Sequence, residues 1–230
     1  LADGRITGVE ALLRWHSAEL GEIPPTVFIP LAEESGLILQ IGDWVLNEAL
    51  QTLKRWRGHG LNEISIGINV SVLQLLRGNL PEELRRLIQD LGVPANRIEL
   101  EVTESMVMQN AEQTTHVLNE LRKLGITLAI DDFGTGYSSL AYLKKLPLFE
   151  LKIDKSFVQD TPDDPNDTAI VESILSVARH LKLRVVAEGV ETRAQADFLV
   201  ASQCDCLQGY LFGRPEPLEP WVERRLAAAR

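Results

Sequence analysis

Seven polar side chains recur at or near the ends of short apolar runs: Glu10, Asn69, Glu101, Asp131, Lys152, Glu188 and Gln208. Their separations of 59, 32, 30, 21, 36 and 20 residues fit successive strand–helix repeats. Asp132 adds an acid directly beside Asp131. Carboxylates and an amide oxygen are hard donors, suited to Mg²⁺ or Mn²⁺. Two such ions about 3.5–4 Å apart, bridged by one carboxylate, can activate a water and neutralise a phosphoryl oxygen. Of the adjacent aspartates one can bridge and the other complete the second ion. Lys152 offers a point charge near the nucleophile or the phosphate. Hydrolysis of a phosphodiester is the chemistry that most naturally uses these parts.

Each residue taken singly has a plainer reading. Glu10 fits a solvated strand position. Asn69 serves equally well as the N-cap of a following short helix. The aspartates of Asp131-Asp132-Phe133-Gly134 fit a turn, although a turn needs only one acid. Lys152, flanked by Leu151 and Ile153, has a ready partner for a structural ion pair in Asp154. Glu191 or Thr192, after Glu188, can cap the next helix, and Gln208 before Gly209 says little alone. Their phase along the chain is what points to a site. Other chemistries find less support. Ser105, Ser138 and Ser139 lack a nearby His and a G-x-S-x-G elbow. His16, His59, His116 and His180 avoid strand ends, and His59 and His180 suit helix C-termini, which argues against a His-based zinc site.

Strands are expected at Arg5–Ala11, Ile64–Val70, Arg97–Thr103, Ile126–Asp131, Phe149–Ile153, Arg184–Glu188 and Cys204–Gln208. Most are nearly continuous in apolar character, as buried parallel strands are. Helical patterns fill the gaps: Leu37–His59 stopped by Gly60, a segment capped by Asn110 and running to Leu124 before Gly125, and Asp167–Leu181. Pro24-Pro25 and Thr161–Pro165 mark loops. Alternation of this kind means a parallel sheet covered by helices. In a barrel, the C-terminal ends of all strands face one mouth, where active sites lie. Asp3-Gly4 is a hairpin-turn signal, so an eighth strand is expected before it, antiparallel to the first of the seven. A doubly wound open sheet is the alternative, disfavoured because no Gly-rich dinucleotide loop follows an early strand.

The 230 residues fit one domain, 45% hydrophobic and 24% charged, with no break in composition. The start, at Leu1 and almost at once a turn, reads as a fragment of a longer protein. A net charge of −10 argues against binding DNA or RNA polymers through a basic surface. It leaves open an anionic small ligand held through divalent cations. No apolar run is long enough for a membrane helix, and nothing resembles a signal peptide. Cys204 and Cys206 fit neither a zinc knuckle nor a redox pair, and are expected to be reduced core thiols in a cytoplasmic domain, whatever anchors the full-length protein.

Glu10-Ala11-Leu12-Leu13-Arg14-Trp15 resembles the signature of the EAL family of cyclic di-GMP phosphodiesterases. Further matches run in family order: Phe28-Ile29-Pro30-Leu31-Ala32-Glu33, Asn69-Val70-Ser71, Glu101-Val102-Thr103-Glu104-Ser105 and Asp131-Asp132-Phe133-Gly134-Thr135-Gly136-Tyr137-Ser138-Ser139-Leu140. Lys152-Ile153-Asp154-Lys155-Ser156-Phe157-Val158, Ala187-Glu188-Gly189-Val190-Glu191-Thr192 and Gln208-Gly209-Tyr210-Leu211-Phe212-Gly213-Arg214-Pro215 follow. The resemblance implies an α/β fold, a TIM-like (β/α)8 barrel with an antiparallel first strand. It also implies hydrolysis of cyclic di-GMP to linear pGpG. By it, Glu10, Asn69, Glu101 and Asp131 hold one Mg²⁺ or Mn²⁺, and Asp131, Asp132 and Glu188 the second, with Ca²⁺ inhibitory. Lys152 orients the attacking water with help from Gln208, and Glu104 braces the loop after Asp132. Arg14, Leu12 and Asp132 contact the substrate. A homodimer, with the loop after the paired aspartates near its interface, and further sensory or GGDEF-type domains on the full-length chain are also implied. Gly213 departs from a usual Ser, and the substrate-contacting first strand is absent. Two other classes stay open: a non-catalytic cyclic di-GMP receptor, and a barrel lyase or isomerase using Lys152 as base or Schiff-base amine.

Overall fold

A computed structural model describes residues 5–135, 140–217 and 221. In chain order the elements begin with β1 (Gly8–Ala11), β2 (Trp15–Ser17), β3 (Gly21–Ile23), α1 (Pro25–Ser35), α2 (Ile38–Gly58), β4 (Ser65–Asn69), α3 (Val72–Arg77), α4 (Leu80–Leu91) and β5 (Ile98–Thr103). They continue with α5 (Glu104–Gln109), α6 (Ala111–Lys123), β6 (Thr127–Phe133), α7 (Leu140–Leu143), β7 (Glu150–Ile153), α8 (Lys155–Val158), α9 (Pro165–Leu181), β8 (Arg184–Ala187), α10 (Arg193–Ala201) and β9 (Cys206–Leu207). They fall into two compact units. One comprises residues 7–102 with 109–127, the other residues 5–6, 103–108 and the described residues from 128 onward.

In the first unit β1, β4 and β5 pair in parallel, with Glu10 in register with Gly67, and Asn69 with Glu101. α2 lays Leu46, Leu50, Leu53 and Trp56 into the core at helical spacing, all at most 1% exposed. Leu84 of α4 and Leu118 and Leu121 of α6 are fully buried with them. Each such leucine contributes roughly 1.5–3 kcal/mol of hydrophobic stabilisation. In the second unit β6, β7, β8 and β9 pair in parallel and in chain order. Val171, Leu175 and Ala178 on one face of α9 are buried, as are Leu151 and Ile153 of β7. Within each unit the strands of the parallel sheet follow chain order, without the reversal that marks a doubly wound sheet.

All seven expected parallel strands are present, shorter than expected at several ends. Arg5–Thr7 precede β1, and the turn at Asp3-Gly4 lies outside the described residues. α9 starts at Pro165, inside what reads as a loop, because Asp164 accepts hydrogen bonds from Asn166 N and Asp167 N and Pro165 suits the first helical turn. Asn110 does stand at the start of α6, but its side chain makes no cap bond to the backbone and donates instead to Gln113 Oε1 at 3.0 Å. The β2–β3 hairpin was not foreseen. Its strands have three residues each, and its turn is closed by Ser17 Oγ, which accepts from Glu19 N and Leu20 N.

Candidate active site

Each of the seven phased residues stands at or just beyond the C-terminal part of its strand: Glu10 in β1, Asn69 in β4, Glu101 in β5, Asp131 in β6, Lys152 in β7, Glu188 after β8 and Gln208 after β9. In the first unit Asn69 Nδ2 donates to Glu10 Oε1 at 2.7 Å, and Glu101 is 3% exposed. Asn69 does not cap α3. Ser71 does, in a reciprocal capping box with Gln74, so Asn69 is left to Glu10. Arg14 and Leu12, in the link between β1 and β2, are exposed, and Arg14 Nη1 donates to Leu13 O at 2.9 Å.

The second unit centres on Lys152, 2% exposed, whose Nζ lies 2.7 Å from Glu188 Oε1 and 3.8 Å from Asp131 Oδ1. β7 is buried along its whole length because its two charges are matched, Lys152 by these acids and Glu150 by Arg184 at 3.5 Å. Asp154, the partner suggested by its place in the sequence, instead caps α8 by accepting from Ser156 N at 3.0 Å, and it faces Asp132. That role for Asp154 was not legible beforehand.

A regular strand would send Asp131 and Asp132 to opposite faces. Here the β6–β7 register shifts between Ile130 and Phe133, and Asp132 adopts φ 53. Such a bulge breaks the alternation, and Asp tolerates the left-handed region better than most residues. Burial first, then the charges of Asp131 and Asp154, hold the Asp132 carboxyl above its ordinary range. Glu104, 3% exposed, accepts from Gly134 N at 3.0 Å through Oε2, while its buried Oε1 has no hydrogen-bond partner among the described residues. Gly136–Ser139, which follow, lie outside the described residues. Gln208 is half-buried and pinned by its backbone: its N–H donates to Ala187 O, and its carbonyl accepts from Val190 N. Capping of α10 falls to Thr192 and Gln195, which leaves Glu188 to Lys152.

Among the described residues no three His, Cys, Asp or Glu side chains stand at metal-ligating spacing. The donor chemistry nevertheless fits a hard cation. Acids crowd one another at Asp131, Asp132 and Asp154, and an ammonium stands between Asp131 and Glu188. Asn69 needs only a turn of its amide to present oxygen in place of nitrogen.

Residues 1–215 match the family profile of the EAL domain. The chain belongs to the EAL family. The bifunctional diguanylate cyclase/cyclic di-GMP phosphodiesterase MucR of Pseudomonas aeruginosa is 46% identical over 217 residues, 94% of this chain and 32% of MucR. The cyclic di-GMP phosphodiesterase NbdA of the same organism is 46% identical over 95% of the chain and 28% of its own length. The chain thus spans about a third or less of the length of these multidomain relatives. A solved structure of the PaMucR phosphodiesterase in complex with c-di-GMP superimposes with a TM-score of 0.91 at 46% identity, covering 94% of this chain and 88% of that one. The cAMP- and cyclic-di-GMP-bound EAL enzyme Bd1971 gives 0.90 at 36% identity, over 95% and 60%. This EAL domain therefore has the TIM-like α/β fold of the family, as the order of strands and motifs implied. Among its described residues no helix is long and apolar enough to cross a membrane. Cys204 is buried as expected, whereas Cys206 is only half-buried, and both are free thiols.

Proposed function

We propose that this EAL domain hydrolyses one phosphodiester of cyclic di-GMP to give linear pGpG. The observation that carries this is the Lys152 ammonium, buried at the end of β7 and held by Glu188 and Asp131, in a chain 46% identical to a cyclic di-GMP phosphodiesterase. Glu10, Asn69, Glu101 and Asp131 would hold one Mg²⁺ or Mn²⁺, and Asp131, Asp132 and Glu188 a second. When bound, the cations supply acidification of the attacking water and neutralisation of phosphoryl charge. Lys152 donates a hydrogen bond that aims the water at phosphorus, its own position fixed by Glu188. Gln208, its backbone tied on both sides, adds a polar contact to the same water. The new bond joins the water oxygen to phosphorus, the bond to the 3′ oxygen breaks, and that oxygen leaves as a hydroxyl. Glu104 holds the chain after β6 through Gly134 N and so keeps Asp132 in its bulged conformation. Arg14 offers a guanidinium fork to the other phosphate, and Leu12 an apolar contact.

The parallel reading is a receptor that binds the dinucleotide without turnover. It differs in one experiment. Hydrolysis with Mg²⁺ or Mn²⁺, followed by separation of pGpG, is set beside binding in Ca²⁺. Calcium takes more ligands at longer distances, so it should permit binding with little turnover. Binding in every metal and product in none would establish the receptor.

A further inference from the structure

Gly67 lies in β4 two residues before Asn69, on the same face of the strand. It is buried, and its backbone does not need glycine, since it is absent from the positive-φ positions. Glycine inside a strand costs stability and often marks a close approach. Here that approach is to Glu101. A Cβ at Gly67 would fall 2.2 Å from Glu101 Oε1, 3.2 Å from its Cδ and 3.7 Å from Val9 O. Gly67 is also in register with Glu10 on β1, and Glu101 with Asn69. The hydrogen at Gly67 therefore opens the space in which the Glu101 carboxylate stands, one strand from Glu10.

We propose that Gly67 is a positioning residue for cation binding: its missing side chain sets where the Glu101 carboxylate can stand beside Glu10 and Asn69. This rests on the reading of Glu101 as a metal ligand. A methyl group there does not collide with backbone. The obstructed atom is the far end of a flexible side chain, so the chain folds and the carboxylate moves. Gly67→Ala thus separates ligand placement from stability, with Glu101→Asp, one methylene shorter, as the compensating change.

The test is a Mn²⁺ titration of chelator-treated protein, read as the rise in melting temperature. Gly67→Ala without metal should melt near the parent, and should need at least about tenfold more Mn²⁺ for half the rise, about 1.4 kcal/mol of binding. Adding Glu101→Asp to Gly67→Ala should recover part of that loss. Glu101→Gln in the parent is the control. If it weakens the Mn²⁺ response while Gly67→Ala leaves it unchanged, the positioning role is overturned and the ligand reading stands. If it has no effect, the ligand reading fails and this proposal with it. A Gly67→Ala loss that Glu101→Asp does not relieve, or a chain unfolded both alone and with Glu101→Asp, marks general packing damage and overturns the proposal.

Discussion

Replacing Lys152 by methionine keeps the length and most of the volume of the side chain and removes its charge. The ammonium is 2% exposed and lies 2.7 Å from Glu188 and 3.8 Å from Asp131, whose side chains are 18% and 13% exposed. Removing one partner of a buried pair typically costs about 3–5 kcal/mol. The acids retain some contact with solvent, so the lower end, about 3 kcal/mol, is expected here. For a domain of this size that is a fall of roughly 6–12 °C in melting temperature, at about 2–4 °C per kcal/mol. Urea denaturation in chelator measures it directly, as a lower midpoint at unchanged slope. Adding Glu188→Gln neutralises the acid left behind, so the double variant should be more stable than Lys152→Met alone, with a coupling of about 1 kcal/mol or more. Mg²⁺ should also stabilise Lys152→Met more than the parent, because a cation can then replace the missing charge. A loss below about 1 kcal/mol, the scale of an exposed pair, with no coupling to Glu188, would show that Lys152 and its acids do not act as a buried ion pair.

Three further outcomes follow from the same geometry. Asp132 has a raised folded pKa, so its contribution to the metal-free fold is fully present below its unfolded value near 3.8 and is lost as pH rises through the folded value. Asp132→Asn should therefore stabilise the chelated protein near pH 7 but not near pH 3, and should shrink the gain from Mg²⁺; melting curves across pH that coincide with the parent's would contradict this. Asp131→Asn, if Asp131 serves both ions, should weaken Mg²⁺-dependent stabilisation and turnover more than Asn69→Ala does, and near-normal turnover at saturating Mg²⁺ would sink the shared-ligand assignment. Burial pushes the Cys204 thiol up to about 12, so at pH 8 iodoacetamide should label Cys206 well ahead of Cys204, and mass spectrometry showing equal labelling would contradict it.

The parallel strands were legible because buried strands leave near-continuous apolar runs, and the places of the candidate site residues on them because each interrupts or ends such a run. Lys152 between Leu151 and Ile153 is the clearest instance: a charge in a fully buried strand must have partners. Which partners could not be read, because Asp154 is near in sequence whereas Glu188 is brought in by β8 pairing with β7. The bulge that alters the alternation at Asp131 and Asp132 was equally hidden, since a register shift depends on the neighbouring strand and leaves no pattern in its own. Gly67 had no signal at all. A glycine in a strand reads as a weak point until the side chain that fills its space, Glu101 on the next strand, is seen. Short elements were lost for a different reason: β2 and β3 have three residues each, too few for a period to show.

Incubating the domain with cyclic di-GMP and Mg²⁺ in ¹⁸O-labelled water, with mass spectrometry of the products, reads the proposed hydrolysis itself. Linear pGpG carrying one ¹⁸O in its terminal phosphate is the expected product, with none formed when chelator replaces Mg²⁺. Unchanged cyclic di-GMP in saturating Mg²⁺ and Mn²⁺, or product formed equally well in chelator, would contradict it.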